Sequence, residues 1–353
     1  MMRLKELKIG SLTAQIPIIQ GGMGIGVSLS NLAGAVASCG AVGVISAAQP
    51  GYNWDGFFSN PLRANLNALT YHIKKAREAA KGGIVAVNIM CAISHYADYV
   101  KCCVENKADL IISGAGLPTN LPELVKGSAI KIAPIVSSVK AADLLLKIWQ
   151  RRYGKTADMV VVEGPKAGGH LGFSLDELEK FDSGEIDFDN TLNDILHCVS
   201  EFEQRSDTKI PTVFGGGIYD KTDALHYLEL GCSGVQIATR FVATEECDAH
   251  ENFKMAYVNA NESDVAYVKS PLGLPGRALK NKFFNDTQLE DSAVDKCYSC
   301  ISSCNPIKTP YCISKALISS VNGKVNDGLV FCGKKVDKIK EITTVKKLLN
   351  EYL

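Results

Sequence analysis

One imidazole stands where chemistry is expected. His170 closes the run Val160-Val161-Val162-Glu163-Gly164-Pro165-Lys166-Ala167-Gly168-Gly169-His170-Leu171-Gly172. The valines predict a buried parallel strand, and the glycines and proline predict a loop at its end. Glycines around His170 clear side chains from its surroundings, so a flat ligand can approach the backbone while the ring projects toward it. With an ordinary pKa near ~6.5, such a ring serves as acid or base at neutral pH. The competing reading is a histidine that merely caps a turn.

A second set of reactive groups lies near the other end. Cys297, Cys300, Cys304 and Cys312 crowd four thiols into one loop stiffened by Pro306 and Pro310. Four thiolates can close a tetrahedral zinc site or hold a [4Fe-4S] cluster, and spacing alone does not choose between them. The other eight of the twelve cysteines, Cys39, Cys91, Cys102, Cys103, Cys198, Cys232, Cys247 and Cys332, are scattered and read as small buried hydrophobes.

These groups need a frame. Short apolar runs recur at Pro17–Gln20, Ala41–Ala47, Ile84–Met90, Leu110–Ser113, Ile132–Ser137, Val160–Val162, Thr212–Phe214 and Gly234–Thr239. Most are followed by a glycine-bearing or polar loop and then a helical stretch, such as those near Pro61–Lys81 and Val139–Tyr153; Ser28 is the expected cap of a helix over Leu29–Ser38. Eight such units predict an α/β protein, a (β/α)8 barrel over residues 1–241. A doubly wound open sheet is the competitor, but it would gather its ligand loops at one switch point, and here glycines recur at nearly every strand end. Beyond residue 241 the pattern changes. Residues 242–353 form an extension holding a helix near Thr244–Asn259, the rigid loop Ser270–Arg277, the cysteines, a helix near Lys315–Asn322 and a surface helix over Lys334–Leu353. It is expected to pack on the barrel.

In such a barrel a phosphate commonly sits between the loops after the last two strands. Gly215-Gly216-Gly217-Ile218 and Ala238-Thr239-Arg240 occupy those places. Gly21-Gly22-Met23 and Asn88 would face the same mouth. No Gly-x-Gly-x-x-Gly fingerprint stands in a strand-to-helix context, which leaves the use of a nicotinamide nucleotide open.

Composition narrows the function classes. A chain of 353 residues, 46% hydrophobic, with 38 basic and 38 acidic side chains, gives no reason to expect nucleic acid or an anionic membrane as partner. No stretch reaches the ~20 apolar residues of a membrane span, and the first ten residues are too polar for a secretory signal, so a cytoplasmic location is expected.

The pieces Pro17-Ile18-Ile19-Gln20-Gly21-Gly22-Met23-Gly24, Asn88, Glu163 to His170, Gly215 to Ile218 and Gly234 to Phe241 together resemble the flavin-dependent nitronate monooxygenase (2-nitropropane dioxygenase) and enoyl-acyl-carrier-protein reductase II family. The resemblance implies an FMN barrel. It implies that Gly22, Met23 and Asn88 line the isoalloxazine, with Gln20 a further contact. Gly216, Gly217 and Thr239 would hold the phosphate, and Glu163, Gly168, Gly169 and Ala238 would join the cofactor contacts. His170 would work on the substrate beside the flavin. The cysteine-bearing tail resembles that of an iron-sulfur subgroup, a dehydrogenase/isomerase of acyl-carrier-protein thioesters. That likeness implies [4Fe-4S] ligation by Cys297, Cys300, Cys304 and Cys312, with structural zinc as the alternative.

The activity implied is oxidation or isomerisation of an acyl thioester, or its reverse, enoyl reduction, with His170 moving the α-proton. Two other readings stay open: nitronate oxidation with O2, and a flavin and iron-sulfur protein that transfers electrons or senses redox state without transforming an organic substrate. A carrier-protein partner is acidic and would seek a basic rim; Arg63, Lys74, Lys75, Arg77, Arg151 and Arg152 are available for one. A homodimer is left open.

Overall fold

The structure, a computed structural model, describes residues 4–289, 294 and 296–353. It opens with a hairpin of β1 (Leu7–Ile9) and β2 (Leu12–Ala14). Then come β3 (Ile18–Gln20), β4 (Gly43–Ser46), β5 (Val85–Met90), β6 (Leu110–Gly114), β7 (Lys131–Val136) and β8 (Val160–Glu163). A two-residue strand, β9 (Gly169–His170), precedes β10 (Thr212–Gly215) and β11 (Gly234–Ile237). The extension adds β12 (Val265–Lys269) and β13 (Pro275–Leu279).

Eight of these strands form one parallel sheet in the order β3-β11-β10-β8-β7-β6-β5-β4. A parallel bridge from Ile19 to Val42 joins its two ends, with Gln20 N–H donating to Val42 O and Val42 N–H to Ile18 O, each at 3.0 Å. The sheet is therefore the expected closed (β/α)8 barrel. Alternation along each strand sorts the side chains. Val161 packs with Leu7, Ile9, Ile19, Val44 and Val213 inside the cylinder, whereas Val160 and Val162 join the layer beneath the helices. The hairpin lends its Leu7 and Ile9 to that interior. Each such side chain, once fully buried, contributes roughly 1.5–3 kcal/mol, so the barrel is a packed core open for ligands only at its strand ends.

Helix boundaries follow local chemistry. The helix Val139–Tyr153 starts at Ser138, whose side chain accepts from Ala141 N–H at 3.3 Å, and stops at Gly154 in the left-handed region. The helix Ser30–Ser38 differs from expectation. Ser28 does not cap it; its hydroxyl instead accepts from Met23 N–H at 2.8 Å and donates to Met23 O at 3.2 Å, which ties down the first glycine loop. The cap comes from far along the chain. Asp248 accepts from Leu29, Asn31 and Leu32 N–H at 2.8–3.2 Å, and burial raises this carboxyl to about 6 against the pull of those amides.

The extension folds onto the strand ends. Its β12 and β13 are antiparallel, and β9 joins them so that Gly276 faces His170 and Arg277 faces Gly169. The expected surface helix over Lys334–Leu353 is replaced by a 3-10 turn at Val336–Lys338 and a short helix at Val345–Asn350. Val345, Leu348, Leu349 and Tyr352 are buried against the barrel layer, so an apolar seam takes this segment out of solvent. Among the described residues no helix is long and apolar enough to cross a membrane. Of the eight scattered cysteines six are buried, while Cys39 and Cys91 are partly exposed.

Candidate active site

A cavity of about 450 Å³ opens at the carboxyl ends of the strands, where β3, β5, β8, β10 and β11 release their loops. Of the residues expected there, Gly22, Met23, Asn88, Glu163, Gly168, Gly169, His170, Gly216, Gly217, Ala238 and Thr239 all line it. Gln20 does not. It is fully buried in the barrel wall, where its Oε1 accepts from Val44 N–H at 2.9 Å and its Nε2 donates to Gly21 O at 2.5 Å. Its polar ends are consumed in closing the cylinder. Gln236, one strand over, lines the cavity in its place.

The floor is shaped by missing side chains. A Cβ on Gly22 would stand 2.4 Å from the Asn88 Cβ, so only glycine lets that loop lie flat against the amide. Gly216 and Gly217 have φ of +138° and +77°, a backbone other residues rarely adopt. Neither amide donates to any partner among the described residues, and the first turn of the short helix Thr239–Val242 faces the same space. Unpaired backbone donors converging beside a hydroxyl suit a phosphate, and a flat floor of glycines suits a planar ring. The residues present therefore fit FMN; Gly216, Gly217 and Thr239 would meet its phosphate, and Gly22, Met23 and Asn88 would lie along its ring.

His170 is held on its outer side by the extension. Its Nε2 lies 2.6 Å from Ser270 Oγ, and its ring meets that of Phe331 edge-on at 5.0 Å between centroids. Burial lowers the imidazole to about 4, below the ordinary value expected of it, so the ring is neutral throughout the physiological range. Glu163 is displaced the other way. Burial raises its carboxyl to about 7, opposed by the Gly172 N–H that its Oε2 accepts at 3.1 Å and by Arg277. Two groups whose usual order of acidity is inverted thus share one cavity, a pattern typical of sites that handle protons.

The loop carrying His170 is clasped from behind. Arg277 is 2% exposed and donates from Nη1 to Pro165 O at 2.8 Å and Ala167 O at 2.5 Å, and from Nη2 to the Tyr267 hydroxyl at 2.6 Å. A strap from the far end of the chain crosses the phosphate end. Gly333 N–H donates to Thr239 Oγ1 at 2.9 Å, Lys334 N–H donates to Lys166 O at 3.2 Å, and the Tyr257 hydroxyl donates to Phe331 O. Ser270, Arg277, Phe331 and the strap escaped sequence reasoning because their link to His170 is made in space. The only signal was the stretch Ser270–Arg277, expected as a rigid loop; in the structure its first part is a turn, and Pro275–Arg277 belong to β13, paired with β12.

The four cysteines do not gather as expected. Among the described residues no three His, Cys, Asp or Glu side chains stand close enough to hold a metal ion. Each thiol has local company instead. The exposed Cys297 Sγ accepts from Ser299 N–H at 3.4 Å, Cys300 and Cys304 engage the Ser314 and Thr309 hydroxyls, and Cys312 occupies the cap position of the helix Ile313–Val321. Burial raises Cys300 to about 11, so it is a thiol at neutral pH. As placed, this set fits neither a cluster nor zinc. Of the rim cations, Lys75 and Arg77 are paired with Glu78 and Asp109.

The nitronate monooxygenase family profile matches residues 5–353. A Staphylococcus saprophyticus protein described as "Probable nitronate monooxygenase" is 25% identical over 83% of each chain, and one of the same description from Staphylococcus haemolyticus is 27% identical over 77% of each. Among solved structures, FabK from Thermotoga maritima superposes with a TM-score of 0.70 at 26% identity, covering 96% of this chain and 91% of its own. Nitroalkane oxidase from Streptomyces ansochromogenes gives the same TM-score at 19% identity, covering 96% and 94%, a likeness of fold.

Proposed function

This chain belongs to the nitronate monooxygenase family, an FMN-dependent oxidoreductase of that group, and from that premise we propose that its substrate is an acyl thioester, with His170 as the acid/base group. The observation that carries the proposal is the set of large apolar side chains lining the cavity that holds His170. Leu274, Leu317 and Phe331 from the extension and Ile135 and Leu117 from the barrel line the same cavity as His170, with Phe331 in contact with its ring. An acyl chain gains by burying itself against such a lining at about 25 cal/mol per Å2, whereas a small nitronate anion does not. The likeness to FabK supports the same side of the family.

When bound, FMN supplies a two-electron acceptor for the substrate's β-carbon. The chain's own work is to orient and to move a proton. A neutral His170 accepts the α-proton, and Glu163, poised near neutrality, can exchange a proton within the same cavity. Return of the proton to a different carbon would shift a double bond with no added residue. Replacing His170 with alanine abolishes turnover of an acyl thioester while FMN stays bound; full activity in that variant refutes the assignment.

Nitronate oxidation is the second reading, supported by the names of the curated relatives. Anaerobic mixing separates the two. Loss of the flavin's visible absorbance on adding decanoyl thioester supports the proposal, loss on adding a nitronate supports its rival, and loss with neither points to an electron-transfer or redox-sensing role. The placement of the four cysteines gives no support to an iron-sulfur or zinc site among the described residues. Iron, sulfide and zinc analysis of anaerobically purified protein decides it.

A further inference from the structure

We propose that Ser270 is the positioning residue for His170, and that it leaves Nδ1 as the ring nitrogen that addresses the substrate. The inference deepens the acid/base role proposed above and rests on it. Ser270 comes from the extension, in the turn between β12 and β13, and is 8% exposed. The turn is firmly made. Gly273 N–H donates to Ser270 O at 2.9 Å, and Leu272 N–H donates to Ser270 Oγ at 3.2 Å. The strand leading into it is pinned as well, since the Tyr311 hydroxyl donates to Lys269 O at 2.9 Å.

The base role of His170 selects the tautomer, because Ser270 occupies Nε2 and leaves Nδ1 as the nitrogen for the substrate. A serine oxygen has two lone pairs. One receives the Leu272 N–H, and the hydroxyl stands 2.6 Å from Nε2, where it can accept from an Nε2–H or donate to a bare Nε2. With Nε2 protonated, Nδ1 carries the lone pair. A proton taken from the substrate then arrives at Nδ1, and the Nε2–H bond to Ser270 persists unchanged in the imidazolium. The opposite tautomer would place a hydrogen on the very nitrogen that must accept one. Phe331 presses on the ring edge-on, so hydroxyl and aromatic together leave it little freedom to turn. A carboxylate in place of Ser270 would also orient the ring, but it would raise its basicity; a hydroxyl orients without doing so.

The test reads the tautomer directly. FMN-loaded protein labelled with 15N at histidine is compared as wild type, Ser270→Ala and Ser270→Thr, with the His170 signals identified by their loss in His170→Ala. Wild type and Ser270→Thr are expected to show protonated Nε2 and bare Nδ1. Ser270→Ala is expected to show mixed tautomers and a kcat lower by about 10- to 100-fold, the scale of a misaligned reacting group, with KM within about twofold and FMN content unchanged. A wild-type ring protonated at Nδ1, or a Ser270→Ala variant with wild-type tautomer and kcat, overturns the proposal. The spectrum needs no substrate, so it judges Ser270 even where the thioester reading fails.

Discussion

Arg277 offers the sharpest test of the claim that the extension builds the site. Its guanidinium is buried and makes three hydrogen bonds, two of them to carbonyls of the loop that ends in His170. Hydrogen bonds to a charged group contribute roughly 1.5–3 kcal/mol each, and the cost of burying the cation offsets a large part of their sum. Replacement by methionine removes both the charge and the donors and strands two buried carbonyls at roughly 1–3 kcal/mol each. A net loss of about 3 kcal/mol follows for Arg277→Met. Lysine is no remedy, because a single ammonium on a flexible stem cannot span Pro165 O, Ala167 O and the Tyr267 hydroxyl in one plane. Arg277→Lys is therefore expected to lose at least about 2 kcal/mol, still carrying a buried charge with poorer compensation. Urea unfolding followed by circular dichroism gives both values from the midpoint at constant slope. The loop also carries Gly168 and Gly169 at the cavity, so FMN titration should show affinity weakened about tenfold, or about 1.4 kcal/mol. An Arg277→Lys protein within 1 kcal/mol of wild type, with FMN binding intact, would refute the clasp.

Three further outcomes follow from the same geometry. Gly22→Ala drives a methyl into the Asn88 Cβ at 2.4 Å, so the protein should keep its circular dichroism spectrum but bind FMN at least about tenfold more weakly by fluorescence titration. Thr239→Val removes the oxygen that accepts the Gly333 N–H at 2.9 Å, and is expected to weaken FMN by about tenfold and to expose the strap to faster amide exchange. Glu163 predicts a pH effect of definite sign. Its carboxyl is raised from 4.5 to about 7 by burial, so the folded chain keeps a proton that the unfolded chain releases. The associated stability is complete below about 4.5 and is lost as pH rises through about 7. Glu163→Gln has no such slope, and its unfolding free energy relative to wild type should grow between pH 4.5 and 7.5. The ceiling is about 3 kcal/mol, lowered by water reaching the carboxyl through the cavity. A flat difference across that window contradicts the buried-acid reading.

The barrel was legible because closed parallel sheets write themselves locally. Val160 to Val162 can be nothing but a strand buried on both faces, and the glycines after β3, β8 and β10 mark where each strand releases a loop. The phosphate loops were legible for the same reason, since Gly216 and Gly217 are demanded by backbone geometry at their own positions. Gln20 misled because it sits one residue before the glycines but beside the inward-facing Ile19, so alternation turns its amide out of the cylinder and into the wall against β4. Ser28 misled because a cap is read from neighbours, and the true cap, Asp248, lies far along the chain. The last segment misled because charge and apolar spacing describe a helix face equally well whether it meets water or the barrel. His170 was found, but its acidity was not, because desolvation by Ser270, Phe331 and their neighbours is a property of the assembled site.

The division at residue 241 marks a change of pattern and hides a unity of function. The barrel alone supplies a floor, a phosphate end and an imidazole with nothing behind it. The orienting hydroxyl, the aromatic stop, the clasp on the loop and the strap over Thr239 all come from beyond it. They are wired to the cysteine loop by ordinary bonds. Ser94 N–H donates to Cys300 O at 3.1 Å just past β5, which carries Asn88, and Ser302 N–H returns to Ala92 O at 3.0 Å. Tyr311, the residue before Cys312, holds the strand that ends at Ser270, and the helix starting at Ile313 sends Leu317 and Ser320 into the cavity. The cysteine loop is thus bonded both to the segment after β5 and, through Tyr311, to the strand that leads to Ser270.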